Sequence, residues 1–187
     1  MIILILLLAL ILRLWNLNQS LWLDEAAQAI ESSQTVFVIW GYMQADFHPP
    51  LFNLLLHFWL SLGTGEAIMR ALPLLFGLGS IVMTYFLAKE LFNKKIALLT
   101  ALLLSLNPFH IYYSQELRSY IVDSFLAVLS TYFLWKSLHK SKMWWVVFCL
   151  SLAVFFYTSY FAAFLLIAFG LFLIFQKEYR PAIKNFL

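Results

Sequence analysis

A single cysteine, Cys149, lies within an apolar run, so the chain has no disulfide framework and no thiol pair for redox work. Its four histidines (His48, His57, His110 and His139) lack zinc-ligand spacing, and zinc is not expected. Only six glycines occur and none forms a phosphate loop, which disfavours nucleotide binding and ATP-driven transport. Charge is the largest deficit. Asp, Glu, Lys and Arg make up 11% of the 187 residues, where a soluble domain carries about 25%. The lysines fall in short clusters between apolar runs, so no nucleic-acid partner is expected.

What is present is apolar. Hydrophobic residues reach 64% and the mean hydropathy is +0.87. Nineteen Phe, nine Tyr and seven Trp suit helices with aromatic ends at a lipid–water boundary. This is the composition of an integral membrane protein. Spans need about 17 to 25 apolar residues, and candidates are residues 2–15, 71–88, 96–113, 120–138 and the uncharged run 143–175. The first has no basic segment before it and no Ala-x-Ala site, so it reads as an uncleaved helix and not as a signal peptide. Residues 51–62 are apolar but too short to cross alone.

The eight lysines fix a topology. Lys89, Lys94 and Lys95, then Lys136, Lys140 and Lys142, then Lys177 and Lys184 form three groups, all cytoplasmic under the positive-inside rule. Parity then requires residues 143–175 to cross twice, breaking near 157–160. Residues 51–62, started by Pro49-Pro50, must stay on the outer side as an interfacial or re-entrant helix. The expected fold is all-α: a polytopic transmembrane bundle of about six spans in one domain, residues 1–187, with an outer loop of membrane-surface helices at 18–66. In that loop Asp24, Gln28 and Glu31 share one helical face. The outer side also receives Glu25, Asp46, His48, Glu66, Glu116 and Arg118, with Arg70 at the boundary and no lysine.

Each polar cluster has a plain reading beside a chemical one. Asp24-Glu25 are acids in a helix's first turn, where the dipole favours them. Facing a cavity, a carboxylate there serves as general base toward a hydroxyl or as ligand for a hard divalent cation. Asp46-Phe-His48-Pro49-Pro50 is either a capped helix start or a stiffened segment that aims Asp46 and His48. Gln115-Glu116-Leu-Arg118 either closes a turn with a salt bridge or offers a guanidinium fork to phosphate oxygens, with Glu116 orienting it or sharing a cation. Asp123, one turn into the next span, reads as a helix–helix hydrogen bond.

Four motifs occur in order across residues 20–120: Leu23-Asp24-Glu25-Ala26, Asp46-Phe-His48-Pro-Pro-Leu51, Gly65-Glu66-Ala67 followed by Arg70, and Tyr113-Ser-Gln-Glu116-Leu-Arg118-Ser-Tyr120. With them the chain resembles the N-terminal module of the GT-C membrane glycosyltransferases. The likeness is greatest to the dolichyl-phosphate-mannose protein mannosyltransferase family and its bacterial relatives, including lipid A aminoarabinose transferase and the lipopolysaccharide-core sugar transferases. Residues 121–187 match as generic spans. The resemblance implies inverting transfer of a sugar from a polyprenyl-phosphate donor to a lipid, glycan or protein hydroxyl, at the outer face of a bacterial or archaeal plasma membrane. It implies Asp24 as the base, helped by Glu25. Arg118, with Arg70, would offset charge on the polyprenyl-phosphate leaving group, and Glu116, Asp46, His48 and Tyr120 would complete the polar cavity. No cofactor is certain; a divalent cation (Mg or Mn) stays open, with Asp24 and Glu116 as candidate ligands. Family members run to several hundred residues, so this chain is expected to be the N-terminal part of a longer protein. A polyprenyl-lipid transporter or flippase, and a non-catalytic membrane fragment, are the competing readings. Polar groups gathered at the outer ends of spans, with Asp123 the one exception, favour surface chemistry.

Overall fold

The computed structural model describes residues 1–43 and 48–175, and every regular element among them is helical. In chain order these are α1 (Ile2–Leu14), α2 (Leu23–Ser32), α3 (Val36–Met43), α4 (Leu51–Trp59) with a 3-10 turn (Leu60–Leu62), α5 (Glu66–Leu91), α6 (Lys94–Leu106), α7 (Pro108–Ser114), α8 (Tyr120–His139), α9 (Met143–Thr158) and α10 (Ala162–Phe175). Two are long and apolar enough to cross a membrane, α5 with 26 residues and α8 with 20; α6 and α7, bent by 64°, make a third if they act as one span. The apolar helices α1, α9 and α10 have 13, 16 and 14 residues. At 1.5 Å per residue they reach about 20 to 24 Å, short of a hydrocarbon core of about 30 Å.

Helix α5 is the axis of the bundle and packs against α1, α4, α6, α7 and α8. Near its start Met69 and Leu72 join Phe52 and Leu56 of α4, Ile121 and Leu126 of α8, and Phe155 of α9. Toward its other end Ile81, Tyr85 and Ala88 meet Ala9 of α1 and Ala97, Leu98 and Ala101 of α6. Alanines at four of these seven buried positions let three helices approach closely. Leu134, Trp145, Phe148, Leu152 and Phe169 close α8, α9 and α10 together.

Both breaks in the long apolar runs have local causes. Asn107 ends α6 in an extended conformation (ψ 121°) and caps α7, its side chain accepting from the His110 amide at 3.0 Å. Proline at the next position disfavours helix at Asn107 and is itself at home in a helix's first turn. The expected continuous span 96–113 is therefore two helices. Residues 143–175 divide near 157–160 as expected, but into helices of 16 and 14 residues. Two candidate spans, or three with the bent pair, stand among the described residues where six are expected. Ser159 is extended (φ −160°, ψ 139°), and its hydroxyl accepts from the Phe161 amide at 3.2 Å.

The bend brings α7 against α1 and α5, where it completes a buried polar knot. Arg13, fully buried in α1, donates to the carbonyls of Ala9 and Ser105, to Ser114 Oγ, and to His110 Nδ1 at 2.7 Å. A guanidinium has only donors, so Nδ1 must accept and the ring proton sits on Nε2. Nε2 then donates to Ser80 Oγ at 2.6 Å, and Ser80 donates to the Gly77 carbonyl at 2.8 Å. Gly77 is required by this approach. A Cβ there would press into Ser114 Oγ and stand 2.8 Å from Ser114 Cβ. Ser114 is fully buried and bonded to Arg13, so it has little freedom to give way. Gly77→Ala is expected to lower stability by about 1 to 3 kcal/mol, outweighing the gain of about 1 kcal/mol in helix propensity. Thermal melting checks this, and Ser114→Gly in the same chain is expected to restore part of the loss.

Candidate functional site

The segment between α1 and α2 turns at Asn16, the one non-glycine residue with positive φ (62°) among those described, a conformation asparagine tolerates. The turn directs the carbonyls of Leu17, Gln19 and Ser20 at a single guanidinium, that of Arg70, at 3.0, 2.5 and 3.3 Å. Arg70 stands one turn into α5, and its remaining donors go to Glu25 of α2: Nε to Oε1 at 2.9 Å and Nη2 to Oε2 at 2.5 Å. Both side chains are buried. Glu25 also accepts from the Leu117 amide at 2.8 Å and, as the third residue of its helix, from the Trp22 amide at 3.3 Å. Two carboxylate oxygens offer about four lone-pair sites and a guanidinium five N–H bonds; every one is used.

Three of the sequence motifs thus meet at one ion pair. Leu23-Asp24-Glu25-Ala26 supplies the carboxylate, Gly65-Glu66-Ala67 and Arg70 the guanidinium, and the turn between α7 and α8 the Leu117 amide, between Glu116 and Arg118. Burial pushes the Glu25 carboxyl upward, but the hydrogen bonds from Arg70 and Leu117 and the Arg70 charge outweigh it and hold Glu25 below its ordinary value. Glu116, also buried, goes the other way. Burial first and the Glu25 charge second raise it, with Arg118 only partly opposing.

Glu25, Arg70 and Glu116 line one cavity of about 570 Å³ beneath the end of α1. Glu116 Oε2 is buried without a hydrogen-bond partner among the described residues. Asp24 precedes Glu25 in the first turn of α2, half-buried, with no hydrogen bond or ion pair among the described residues; it is not among the wall residues of this cavity. Arg118 is half-buried and forms no ion pair with Glu116: the two are joined only by the Arg118 amide donating to the Glu116 carbonyl at 2.8 Å. Its guanidinium stands 5.7 Å from the Tyr120 ring, which in turn meets Tyr113 edge to face at 5.4 Å.

His48 lies elsewhere, lining a cavity of about 270 Å³ with Pro49, Ser159 and Phe164 at the break between α9 and α10. Asp46 falls outside the described residues. Tyr120 also borders an apolar cavity of about 600 Å³ with Phe155, Phe161 and Phe164. Asp123 lines it too and leaves Oδ1 without a hydrogen-bond partner among the described residues. No three His, Cys, Asp or Glu side chains converge among the described residues. Sequence reasoning passed over Arg13. The available signal was the rule applied to the other clusters, that a charge inside an apolar run marks a built site.

The sequence profile of the family described as dolichyl-phosphate-mannose-protein mannosyltransferase matches residues 47–187, well over half of the chain. It takes in Arg70, Glu116 and Arg118, and it extends through the apolar helices α8 to α10. Asp24 and Glu25 precede the match and are tied to it by the Glu25–Arg70 pair. No curated protein and no solved structure matches the chain. The apolar helices of a membrane protein and this match agree, and the chain belongs to the dolichyl-phosphate-mannose-protein mannosyltransferase family of membrane glycosyltransferases.

Proposed function

We propose that the chain forms the core of a glycosyltransferase that moves a sugar, with inversion, from a polyprenyl-phosphate donor to a hydroxyl of a lipid, glycan or protein acceptor at the outer membrane face. The Glu25–Arg70 pair and its Leu117 contact carry this reading, because they fix the helix bearing Asp24 to the turn bearing Glu116 and Arg118. In the step, the acceptor oxygen attacks the anomeric carbon while the bond from that carbon to the phosphate oxygen breaks. Asp24 takes the hydroxyl proton. The polyprenyl phosphate departs with growing negative charge, which Arg118 meets. Arg70, with all its donors committed, frames the site and leaves phosphate contact to Arg118.

The confinement of lysine to three groups supports six crossings and an outward site. Leu23 and Ile30, 81% and 64% exposed on α2, suit a helix lying on the membrane surface. A divalent cation would find its free carboxylate oxygens at Asp24 and Glu116, and no step above is routed through one.

Arg118→Lys tests the assignment. It keeps the charge and loses the planar two-pronged contact. Donor affinity, measured with polyprenyl-phosphate sugar in nanodiscs, is expected to fall about tenfold or more, the worth of one charge-assisted hydrogen bond. Melting temperature should stay near the parent's. Unchanged affinity with reduced stability would return Arg118 to architecture.

A further inference from the structure

We propose that the end of the bundle where the α5–α6 and α8–α9 connections meet binds the headgroup of an anionic phospholipid, with Lys94, Lys95, Lys140 and Lys142 around its phosphate. This end lies about 30 Å along α5 from Arg70, at 1.5 Å per residue. The inference stands apart from the glycosyltransferase reading.

Four helix ends converge here. Ala88, near the end of α5, packs with Ala97, near the start of α6. Leu134, near the end of α8, packs with Trp145, near the start of α9. Lys136, buried in α8, ties the two pairs together through an ion pair with Glu90 of α5. Lys89 and Lys140 act on the same carboxylate through space. Glu90 is the one acidic side chain at this end among the described residues, and Lys136 occupies it. Lys89, Lys94, Lys95, Lys140 and Lys142 are exposed and form no ion pair among the described residues.

Membrane topology accounts for lysine on this side, but not for where in the helices it stands. Lys89, Lys136 and Lys140 are at helix C-termini, where the dipole favours a cation. Lys94 and Lys95 open α6 and Lys142 precedes α9, at N-terminal ends where the dipole opposes one. An anion seated among them satisfies the lysines and the helix ends together. The compact lysine ammonium, with three rotatable donors, suits phosphate. Depth decides which anion. Helices α5 and α8 are long and apolar enough to span, so their ends meet the headgroup layer. Phe92 and Met143, 65% and 68% exposed beside the lysines, offer apolar surface that acyl chains cover and a soluble anion leaves wet. The anion held at that depth is a lipid phosphate.

Native mass spectrometry of the full chain released from neutral detergent tests this. The probes are phosphatidylglycerol, phosphatidylcholine with the same acyl chains, and inorganic phosphate. Phosphatidylglycerol is expected to be retained about tenfold or more over phosphatidylcholine. Lys94→Gln with Lys95→Gln, and Lys140→Gln with Lys142→Gln, should each weaken its retention about tenfold or more. Melting temperature in neutral detergent should stay near the parent's, because all four side chains are exposed. Lys94→Arg with Lys95→Arg keeps the charge and should keep the lipid. Lys177→Gln with Lys184→Gln, outside the described residues, removes the same charge on the same side by lysine parity and should leave retention near the parent's. An equal loss in that control would reduce the effect to bulk charge and overturn the site. Equal retention of both lipids, retention unchanged in both glutamine pairs, or displacement by inorganic phosphate or an acidic peptide at the lipid's own concentration would overturn it as well.

Discussion

Asp24→Asn is expected to slow sugar transfer by about 10² to 10⁴ while donor affinity and melting temperature stay close to the parent's. The substitution keeps size and removes the proton acceptor. Its neighbours make it a clean test. Asp24 holds no hydrogen bond or ion pair among the described residues, so its loss leaves no buried partner behind, whereas Glu25 beside it is saturated by Arg70, Leu117 and Trp22. The measurement is single-turnover transfer from a polyprenyl-phosphate sugar, with donor binding followed separately. Transfer at nearly the parent rate would take Asp24 out of the chemistry. Glu25 could not inherit the role without giving up Arg70, and Glu116 and Asp46 would be tested next.

The largest effect on stability is expected at the ion pair. Removing one member of a buried pair costs about 3 to 5 kcal/mol because the other is left charged and unpaired. Glu25→Gln falls in that range. Arg70→Met should cost more, since it also strands the carbonyls of Leu17, Gln19 and Ser20. Glu25 carries a pH signature as well. Its carboxyl is held below its ordinary value in the folded chain, so its stabilisation is complete above the unfolded value, about 4.3, and is lost as pH falls through the folded one. The parent should therefore lose melting temperature on acidification below about pH 4.3 more steeply than Glu25→Gln does. Parallel pH profiles would show that the pair contributes nothing through its charge.

Much of the helical layout was legible because it follows from local chemistry. Lysine parity required a break near residues 157–160, and the chain breaks at Ser159. Of the expected shared face of Asp24, Gln28 and Glu31, the last two meet α4: Gln28 donates to Asn53 at 2.7 Å, and Asn53 donates to Glu31 at 3.4 Å. The Asn107-Pro108 bend was equally local, yet the uniform hydrophobicity around it hid it. What the sequence could not show are pairings at a distance. Glu25 and Arg70 are 45 residues apart, and Arg13 and His110 are 97 apart. Nothing in composition says that Arg70 spends three of its five donors on a loop, because that depends on the left-handed turn at Asn16. The motifs singled out the polar residues, and packing separates Glu25 and Arg70, whose hydrogen bonds are spent on the frame, from Asp24, which has none among the described residues.

That sorting bears on how such a protein can be redesigned. Glu25 and Arg70 carry no net charge as a pair and satisfy each other's hydrogen bonds, while the Glu25 carboxylate still raises the Glu116 carboxyl beside it. The electrostatic character of that space then depends on a few uncommitted side chains, Asp24, Glu116 and Arg118 among them. Substitutions at Gln19 or Tyr112, which touch neither charge of the pair with their side chains, are expected to change the lining of the cavity at small cost to folding. Changes at Glu25 or Arg70 forfeit the scaffold before they alter what it accepts.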